Sequence, residues 1–309
     1  MPLAVGPAIS ARGGSEGPDV FIATLIAADR LTRGDISAAE DALGGEARGH
    51  AWVEEGSACD LLLAGGGAEA ARIALEGLIP GVDVVVQPRE GRRKQLLVAD
   101  MDSTMITIEC IDELADYAGL KAEVAAVTER AMRGELEFEA ALDARVALLR
   151  GLDERVIDHC HAQRVRITPG AEALVRTMAA NGAYCLLVSG GFSRFADRVA
   201  AAIGFDAAVS NELLIEGGRL TGKVAKPIVD AEGKRQALLD AAHARQIPLD
   251  AALAVGDGAN DIPMLKAAGL GIAYHAKPAT AAAADARIGA NDLTALLFAQ
   301  GYGRKDWAD

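Results

Sequence analysis

Two kinds of hydrophobic spacing alternate between residues 19 and 88. Short apolar runs, which predict strands, are separated by segments whose apolar positions recur at helical spacing. The predicted order is β-α-β-β-α-β. The predicted strands are Val20–Ala27, Ala51–Val53 (the weakest), Leu61–Leu63 and Val84–Val86, and the predicted helices are Ser37–Leu43 and Ala68–Leu78. This order predicts a ferredoxin-like α+β domain.

Beyond residue 95 the strands become continuous apolar runs, which helical segments separate. Such runs are typical of a parallel sheet that is covered on both faces. The predicted strands are Gln95–Asp100, Tyr184–Ser189, Ala251–Val255 and Leu270–Tyr274. Residues 108–165 contain helical patterns without a strand-like run, so they are predicted to form a helical cap inserted after the first of these strands. A Gly-Gly turn signal within Leu213–Lys223 predicts a β-hairpin.

The predicted fold is therefore an α/β core with a doubly wound parallel sheet, residues 95–309, and a helical cap inserted at about residues 108–165. The ferredoxin-like domain, residues 19–88, precedes this core, and a flexible Gly- and Pro-rich arm, residues 1–18, precedes that domain. The polar, basic segment Pro88–Lys94 is predicted to be the hinge between the two domains. A length of 309 residues agrees with two domains of about 150 residues each.

The chain is acidic, with 31 Lys and Arg against 44 Asp and Glu and a net charge of −13. This charge argues against broad binding to nucleic acid or to an anionic membrane, and no apolar stretch is long enough to span a bilayer. The first residues lack the features of a secretory signal. Four cysteines lie far apart without a CxxC pair, which indicates reduced, mostly buried thiols in a cytoplasmic protein: Cys59, Cys110, Cys160 and Cys185.

Three predicted strands of the parallel sheet lead into polar residues, namely Asp100, Ser189 and Asp257. Ligands collect at the carboxyl ends of parallel strands, so these residues mark a candidate site. Asp100 is expected to be ionised at neutral pH and could attack a phosphorus centre without a separate base. Asp102 could donate a proton to a leaving alkoxide and later take one from water. A loop that caps a helix is the structural alternative for this Asp-x-Asp pair.

A second acidic cluster follows another strand, in the segment Gly256–Asp261. Together with Asp100 it could complete an oxygen-only site, which favours a hard cation such as Mg²⁺. Ser189 ends the middle strand ahead of two glycines, and a hydroxyl beside flexible backbone amides suits phosphate oxygens. Lys234 could neutralise phosphate charge. Taken singly, these features also fit a Gly-rich turn, an ordinary strand-to-helix turn and a solvated lysine.

Four motifs occur in the order found in haloacid-dehalogenase-like phosphatases: Asp-x-Asp-Ser-Thr, Ser-Gly-Gly, a downstream lysine and Gly-Asp-Gly-x-Asn-Asp. The chain resembles this superfamily over roughly Gln95–Gly301. Within the superfamily it resembles the branch that acts on phosphoserine, because of Glu109, Arg145 and the pair Thr221-Gly222.

This resemblance implies hydrolysis of O-phospho-L-serine to L-serine and phosphate, the final step of phosphorylated serine biosynthesis. By the resemblance, Asp100 is the nucleophile that becomes an aspartyl phosphate, and Asp102 is the general acid and base. Mg²⁺ is expected on Asp100, Asp257 and the backbone carbonyl of Asp102. Asp261 is expected behind these ligands.

The resemblance also implies which groups surround the substrate. Those expected around the phosphoryl group are Ser189, Gly190, Lys234 and Asn260. Glu109 would meet the substrate ammonium, and Arg145 would bind the carboxylate through a bidentate pair of hydrogen bonds. Phe138 and Met132 match cap positions that shield such a site from bulk water.

Three other functions stay open at this point. A phosphatase or phosphotransferase of the same superfamily could act on another small phosphate ester. Glu109 and Arg145 discriminate the two, since removal of either should cripple turnover of phosphoserine but spare a generic phosphate ester. A signalling receiver also takes phosphate on an aspartate, but it is much shorter and lacks a counterpart of Asp102. A catalytically silent amino-acid sensor would have no use for the acidic motifs.

The N-terminal domain resembles the small ACT-like, amino-acid-binding regulatory domains of some family members. It lacks a Gly-rich loop after the first strand, since Ala27–Thr32 contains no glycine. An effector site and a homodimer through this domain both stay open. Lys226 is a departure from the family pattern, because relatives often have glycine there, and it could alter the loop that leads to Lys234.

Overall fold

The computed structural model describes residues 10–11, 21–65, 67–132 and 135–308. Its strands are β1 (Ser10–Ala11), β2 (Phe21–Ala27), β3 (Ala47–Glu54), β4 (Ala58–Leu63), β5 (Val82–Pro88), β6 (Leu96–Ala99), β7 (Tyr184–Phe192), β8 (Ala207–Asn211), β9 (Leu213–Glu216), β10 (Arg219–Val224), β11 (Ala252–Gly256), β12 (Leu270–Tyr274) and β13 (Ala286–Ile288). Its α-helices are α1 (Arg33–Ala42), α2 (Ala68–Leu75), α3 (Cys110–Tyr117), α4 (Lys121–Met132), α5 (Phe138–Leu148), α6 (Arg155–Arg164), α7 (Ala171–Ala180), α8 (Ser193–Ile203), α9 (Ala231–Arg245), α10 (Ile262–Ala267), α11 (Pro278–Ala283) and α12 (Ala295–Ala299). The predicted flexible arm, residues 1–18, lies outside the described residues apart from β1. Within the described ranges, no helix has the length and apolar character needed to cross a membrane.

The N-terminal part has the predicted order of elements, and β3, β4 and β5 are longer than the periodicity predicts. β3, β4, β2 and β5 lie side by side in that order and are antiparallel throughout, with Thr24 opposite both Asp60 and Val85. This order of antiparallel strands agrees with the predicted ferredoxin-like domain. Helices α1 and α2 bury one face of the sheet, whereas the other face packs against the C-terminal helix α12.

The second part is built on a parallel sheet with the strand order β13-β12-β11-β6-β7-β8, as the continuous apolar runs predict. The runs do not predict β8 or β13, because Ala-Ala-Val-Ser-Asn and Ala-Arg-Ile are short and contain polar residues. β13 also pairs with β5, where Arg287 lies opposite Val84. Among the described residues the two parts therefore share one eleven-stranded sheet.

The connecting segment Pro88–Lys94, predicted as a hinge, is anchored on both sides. Arg92 donates to Asp60 of β4 at 2.6 Å and to the carbonyl of Ala299 at 3.0 Å. Lys94 is buried, and its Nζ donates to the carbonyl of Asp250 at 2.8 Å. These contacts hold the connection against both the N-terminal sheet and the core.

Helices α3 to α6 occupy the chain between β6 and α7, which is the predicted helical cap. α5 packs on α4 and on β10, and its Leu142 and Val146 belong to the same buried cluster as Leu220. β9 and β10 form the predicted hairpin, whose turn uses Gly217 and Gly218 at φ values of 57° and 75°. The hairpin thus supports the cap helix that carries Phe138 and Arg145.

Candidate active site

The three strand ends singled out by the sequence meet at one edge of the parallel sheet. β6 lies between β11 and β7, with Ala99 opposite both Val255 and Leu187. Asp100 therefore follows the central strand, Asp257 follows one neighbour, and Ser189 lies on the other. The predicted convergence of these residues is confirmed.

An acidic cluster lies at this edge. Carboxylate oxygens of Asp100, Asp257 and Asp261 all lie within 4.8 Å of one another. Thr104 donates to Asp257 at 3.4 Å, whereas both oxygens of Asp261 accept hydrogen bonds, from Lys234 at 2.6 Å and from the Gly258 amide at 2.9 Å. The all-oxygen donor set fits a hard divalent cation. Because both oxygens of Asp261 already accept hydrogen bonds, the residue suits the expected place behind the metal ligands.

Lys234 forms the cationic centre of the cluster. It lies in the first turn of α9, where Asp230 caps the helix by accepting from the Gly233 amide at 2.8 Å. Its side chain is 1% exposed, and its ammonium donates to both Asp100 and Asp261. Burial opposes the charge, but these two carboxylates raise the pKa of Lys234 above its usual range, so the ammonium stays protonated.

Burial raises the pKa values of the acids in the site. Burial first, and then the charge of Glu109, raise the pKa of Asp102 to about 7. Burial and the charge of Asp261 raise the pKa of Asp257 to about 6. The same two causes raise the pKa of Asp100 well above its usual range, and the Lys234 ammonium opposes that shift. Without a bound ion, Asp100 is therefore harder to ionise than its unperturbed pKa predicts. Three ionised carboxylates would carry more negative charge than Lys234 alone neutralises, so a further cation at the cluster would favour the ionised form of Asp100.

Asp102 lies in a tight turn, Met101–Met105, in which Ser103 has a φ of 57°. The Cys110 amide, at the start of α3, donates to its Oδ1 at 3.1 Å. This contact fixes the carboxylate at the base of the cap. A side chain with a pKa near 7 in this position can both give and accept a proton at neutral pH.

The glycine turn at the end of β7 comes very close to these acids. A Cβ at Gly191 would lie 2.8 Å from Asp102 Oδ2 and 3.0 Å from Ser189 Oγ, so a larger residue there would displace the Asp102 carboxylate. The Gly191 amide donates to Ser189 Oγ at 2.8 Å. A Cβ at Gly190 would lie 3.4 Å from the Phe138 ring, which places Phe138 beside the turn.

Glu109 and Arg145 face the site from the cap. Ser103 Oγ donates to Glu109 Oε1 at 2.8 Å. Burial lowers the pKa of Arg145, while the charges of Asp112 and Glu109 oppose this, so both acids lie near the guanidinium. Arg145 donates to the Ala141 carbonyl at 3.3 Å, and it forms no ion pair with any residue that the structure describes. A charged group left without an ionic partner is suited to an anionic ligand.

Two other predicted residues need separate comment. Asn260 lies beside the acidic turn, because a Cβ at Gly258 would lie 2.3 Å from its Oδ1. Met132 ends α4, and its side chain lies outside the described part of the chain.

Sequence reasoning missed several residues that the fold brings to the site. Asp112 lies one helical turn beyond Glu109, a spacing that could have revealed it. Thr104 belongs to the Asp-x-Asp-Ser-Thr motif but received no role. Asn211 contacts the carbonyl of Gly190 from the end of β8, and no local pattern marks it. Lys226, noted in the sequence as a departure from the family pattern, contacts Glu139 and Asp143 on α5 and not the acidic cluster.

Comparison with known proteins places this geometry in a family. The family model for haloacid dehalogenase-like hydrolases matches residues 97–266. A phosphoserine phosphatase of Streptomyces coelicolor is 45% identical over 236 residues, which make up 76% of this chain and 57% of that protein. A phosphoserine phosphatase of Albidiferax ferrireducens is 48% identical over 208 residues, 66% of this chain and 88% of that protein.

Similarity to a solved structure extends over nearly the whole chain. The unliganded crystal structure of a probable phosphoserine phosphatase from Vibrio cholerae superposes with a TM-score of 0.75 and 33% identity, covering 94% of this chain and 88% of that one. Some relatives are longer, since the chain spans only 55 to 63% of the length of three curated phosphoserine phosphatases.

Proposed function

The chain belongs to the haloacid dehalogenase-like hydrolases, and from this premise we propose that it hydrolyses O-phospho-L-serine to L-serine and phosphate. The observation that carries the proposal is the set of charges around one sheet edge. A buried ammonium lies beside three carboxylates, while an acid and an arginine without an ionic partner face them from the cap. Phosphoserine carries one phosphate, one ammonium and one carboxylate, which match these groups. The reaction would complete phosphorylated serine biosynthesis.

The proposed reaction has two phosphoryl transfers. An oxygen of Asp100 attacks phosphorus, the bond from phosphorus to the serine oxygen breaks, and Asp102 donates its proton to that oxygen. Asp102 then takes a proton from water, which attacks the aspartyl phosphate and releases inorganic phosphate and the Asp100 carboxylate. The pKa of about 7 at Asp102 supports both proton transfers.

The oxygen donors at the sheet edge fit Mg²⁺, which Asp100, Asp257 and the backbone carbonyl of Asp102 would hold. When bound, the ion would neutralise phosphoryl charge. Lys234 contributes as well, because its Nζ donates to one oxygen of Asp100. Ser189, with the amides of the glycine turn, would receive the remaining phosphoryl oxygens.

Selectivity for phosphoserine would come from the cap. Arg145 has donors free for a carboxylate, and Glu109 is held by Ser103 where an ammonium can meet it. Phe138 would cover the turn at Gly190 and limit the entry of water. The four cysteines are free and buried, which supports the proposed cytoplasmic location. Dimerisation through the N-terminal domain stays a prediction.

The test is release of inorganic phosphate from L-phosphoserine with and without Mg²⁺, in the wild type and in Asp100→Asn. We expect Mg²⁺-dependent release that the substitution abolishes, while Asp41→Asn, an exposed change on α1, leaves it intact. Release of phosphate from p-nitrophenyl phosphate but not from phosphoserine would support phosphatase chemistry and overturn phosphoserine as the substrate. Full activity in Asp100→Asn would overturn the assignment of Asp100 as the nucleophile.

A further inference from the structure

One buried amide joins two segments of the proposed phosphoryl pocket. Asn211 ends β8 and is 2% exposed. Its Nδ2 donates to the carbonyl of Gly190 at 2.8 Å and, more weakly, to that of Val229 at 3.4 Å. Its Oδ1 accepts from the amide of Val229 at 2.7 Å. The side chain therefore binds the peptide backbone on both sides and uses both its donor and its acceptor.

The two segments that Asn211 joins carry the groups proposed to hold phosphate. Gly190 lies in the glycine turn, between Ser189 and the amide of Gly191. Val229 immediately precedes Asp230, whose carbonyl accepts from the Lys234 amide at 2.9 Å. The two segments approach closely, since a Cβ at Gly190 would lie 3.6 Å from the carbonyl of Val229. A shift of either one would change the distance between the glycine turn and the Lys234 ammonium.

The bridge uses both the donor and the acceptor of the Asn211 amide. Aspartate has the same shape but offers only acceptors, so its second oxygen would face the Gly190 carbonyl without a proton between them. Such an unmatched pair is costly in a buried position. The bridge therefore requires a side chain that can both donate and accept, as the amide does. If Asn211 only filled space, aspartate could replace it without loss of phosphate binding.

We infer that Asn211 is a positioning residue, which sets the spacing between the glycine turn and Lys234 and so the affinity of the site for a phosphoryl group. It does not itself touch the substrate. The inference rests on the proposed function in so far as the pocket binds phosphate. It does not depend on which phosphate ester the protein hydrolyses.

The test compares Asn211→Asp with Asn181→Asp. Asn181 also donates through Nδ2 to a backbone carbonyl, that of Thr177 at 2.8 Å, but it caps α7 away from the pocket. Binding of inorganic phosphate is measured by calorimetry in the presence of Mg²⁺, and KM is measured with p-nitrophenyl phosphate and with phosphoserine. We expect phosphate affinity to fall about tenfold or more in Asn211→Asp, with KM rising by the same factor for both substrates.

Two further readouts separate positioning from a general loss of stability. The Mg²⁺ concentration for half-maximal activity should stay within about twofold of the wild type, because Asn211 contacts none of the proposed metal ligands. Asn181→Asp should leave the phosphate affinity and both KM values unchanged. If Asn211→Asp does not fold, Asn211→Ser, which removes the bridge without adding a buried charge, takes its place in the same measurements.

The outcomes are distinct. A lower melting temperature in the Asn211 variant with unchanged phosphate affinity would show a structural residue and overturn the inference, as would a wild type that binds no phosphate. A wild type that binds phosphate and cleaves p-nitrophenyl phosphate but not phosphoserine would overturn the proposed substrate alone.

Discussion

Two regions that bury charged side chains differ in how completely those charges are paired. At the interdomain seam, defined by Asp60, Asp83, Arg92 and Asn291 with the carbonyl of Ala299, every charge has partners. Arg92 donates to both oxygens of Asp60, at 2.6 and 3.0 Å, and to Ala299. Asp83 accepts from the amide and from the side chain of Asn291, and from two preceding amides.

At the sheet edge the pairing is incomplete. Asp102 and Asp257 have pKa values raised to about 7 and about 6, which means that their charged forms lack sufficient compensation. Arg145 forms no ion pair among the described residues. Buried polar groups are normally satisfied, so an unsatisfied set indicates where a ligand completes the network. The seam has the pattern of a structural contact, and the sheet edge has the pattern of a site.

Removal of Arg92 should give the largest change in stability. In Arg92→Ala the buried carboxylate of Asp60 keeps its charge and loses its counterion, so we expect the free energy of unfolding to fall by about 3–5 kcal/mol in urea denaturation. Phosphate release per folded molecule should stay near the wild-type value, since the seam does not contact the site.

The neighbouring arginine provides the matched control. Arg93 is exposed and stacks on Tyr302, with 4.3 Å between its guanidinium and the ring centre. Arg93→Ala should cost less than about 1 kcal/mol. Equal losses in the two variants would show that the pairing at the seam does not stabilise the protein.

Arg145→Ala should reduce activity and leave stability intact, the opposite of Arg92→Ala. We expect kcat/KM for phosphoserine to fall about 100-fold or more, because the substrate carboxylate loses its charged partner. The melting temperature should stay the same or rise, since a partly buried cation without an ion pair is removed. Turnover of p-nitrophenyl phosphate, which has no carboxylate, should change little.

Arg155→Ala is the control for this prediction, because Arg155 is exposed and pairs with Asp153 outside the site. It should leave kcat/KM unchanged. Equal losses on phosphoserine and p-nitrophenyl phosphate in Arg145→Ala would mean that Arg145 supports the cap rather than recognises a carboxylate.

The contrast between the regions also explains what could be predicted from the sequence. Asp100 and Asp257 were found because each directly follows a continuous apolar run, so local pattern and parallel topology suffice to place them together. Asn211 could not be found, since its partners Gly190 and Val229 lie 21 and 18 residues away. The segment Pro88–Lys94 is predicted to be a hinge for the same reason: its basic composition resembles a linker, and the contact of Arg92 with Asp60 appears only in the fold.

Asp83→Asn should give a smaller loss of stability than Arg92→Ala. An amide keeps one acceptor for the amides of residues 289–291, but its NH₂ group would face donors where an oxygen now accepts. We expect a loss of about 1–3 kcal/mol in urea denaturation, with kcat unchanged. Asp41→Asn, an exposed change on α1, should stay within about 0.5 kcal/mol of the wild type. A fall in kcat at constant stability would show that the N-terminal domain acts on the site.

The smallest expected effect is at Lys226, where an exposed charge network links the core to the cap. Its Nζ donates to Glu139 and, at 3.2 Å, to Asp143, one turn apart on the helix that carries Phe138 and Arg145. Exposed pairs contribute little and are screened by salt, so Lys226→Ala should raise KM for phosphoserine only about two- to threefold at low ionic strength. The difference from wild type should disappear at about 0.5 M salt. Lys223→Ala, three residues earlier and also exposed, should behave as wild type at both ionic strengths. A KM ratio that stays constant with salt would mean that Lys226 acts through the shape of its loop, since only a charge contact weakens as the Debye length shortens.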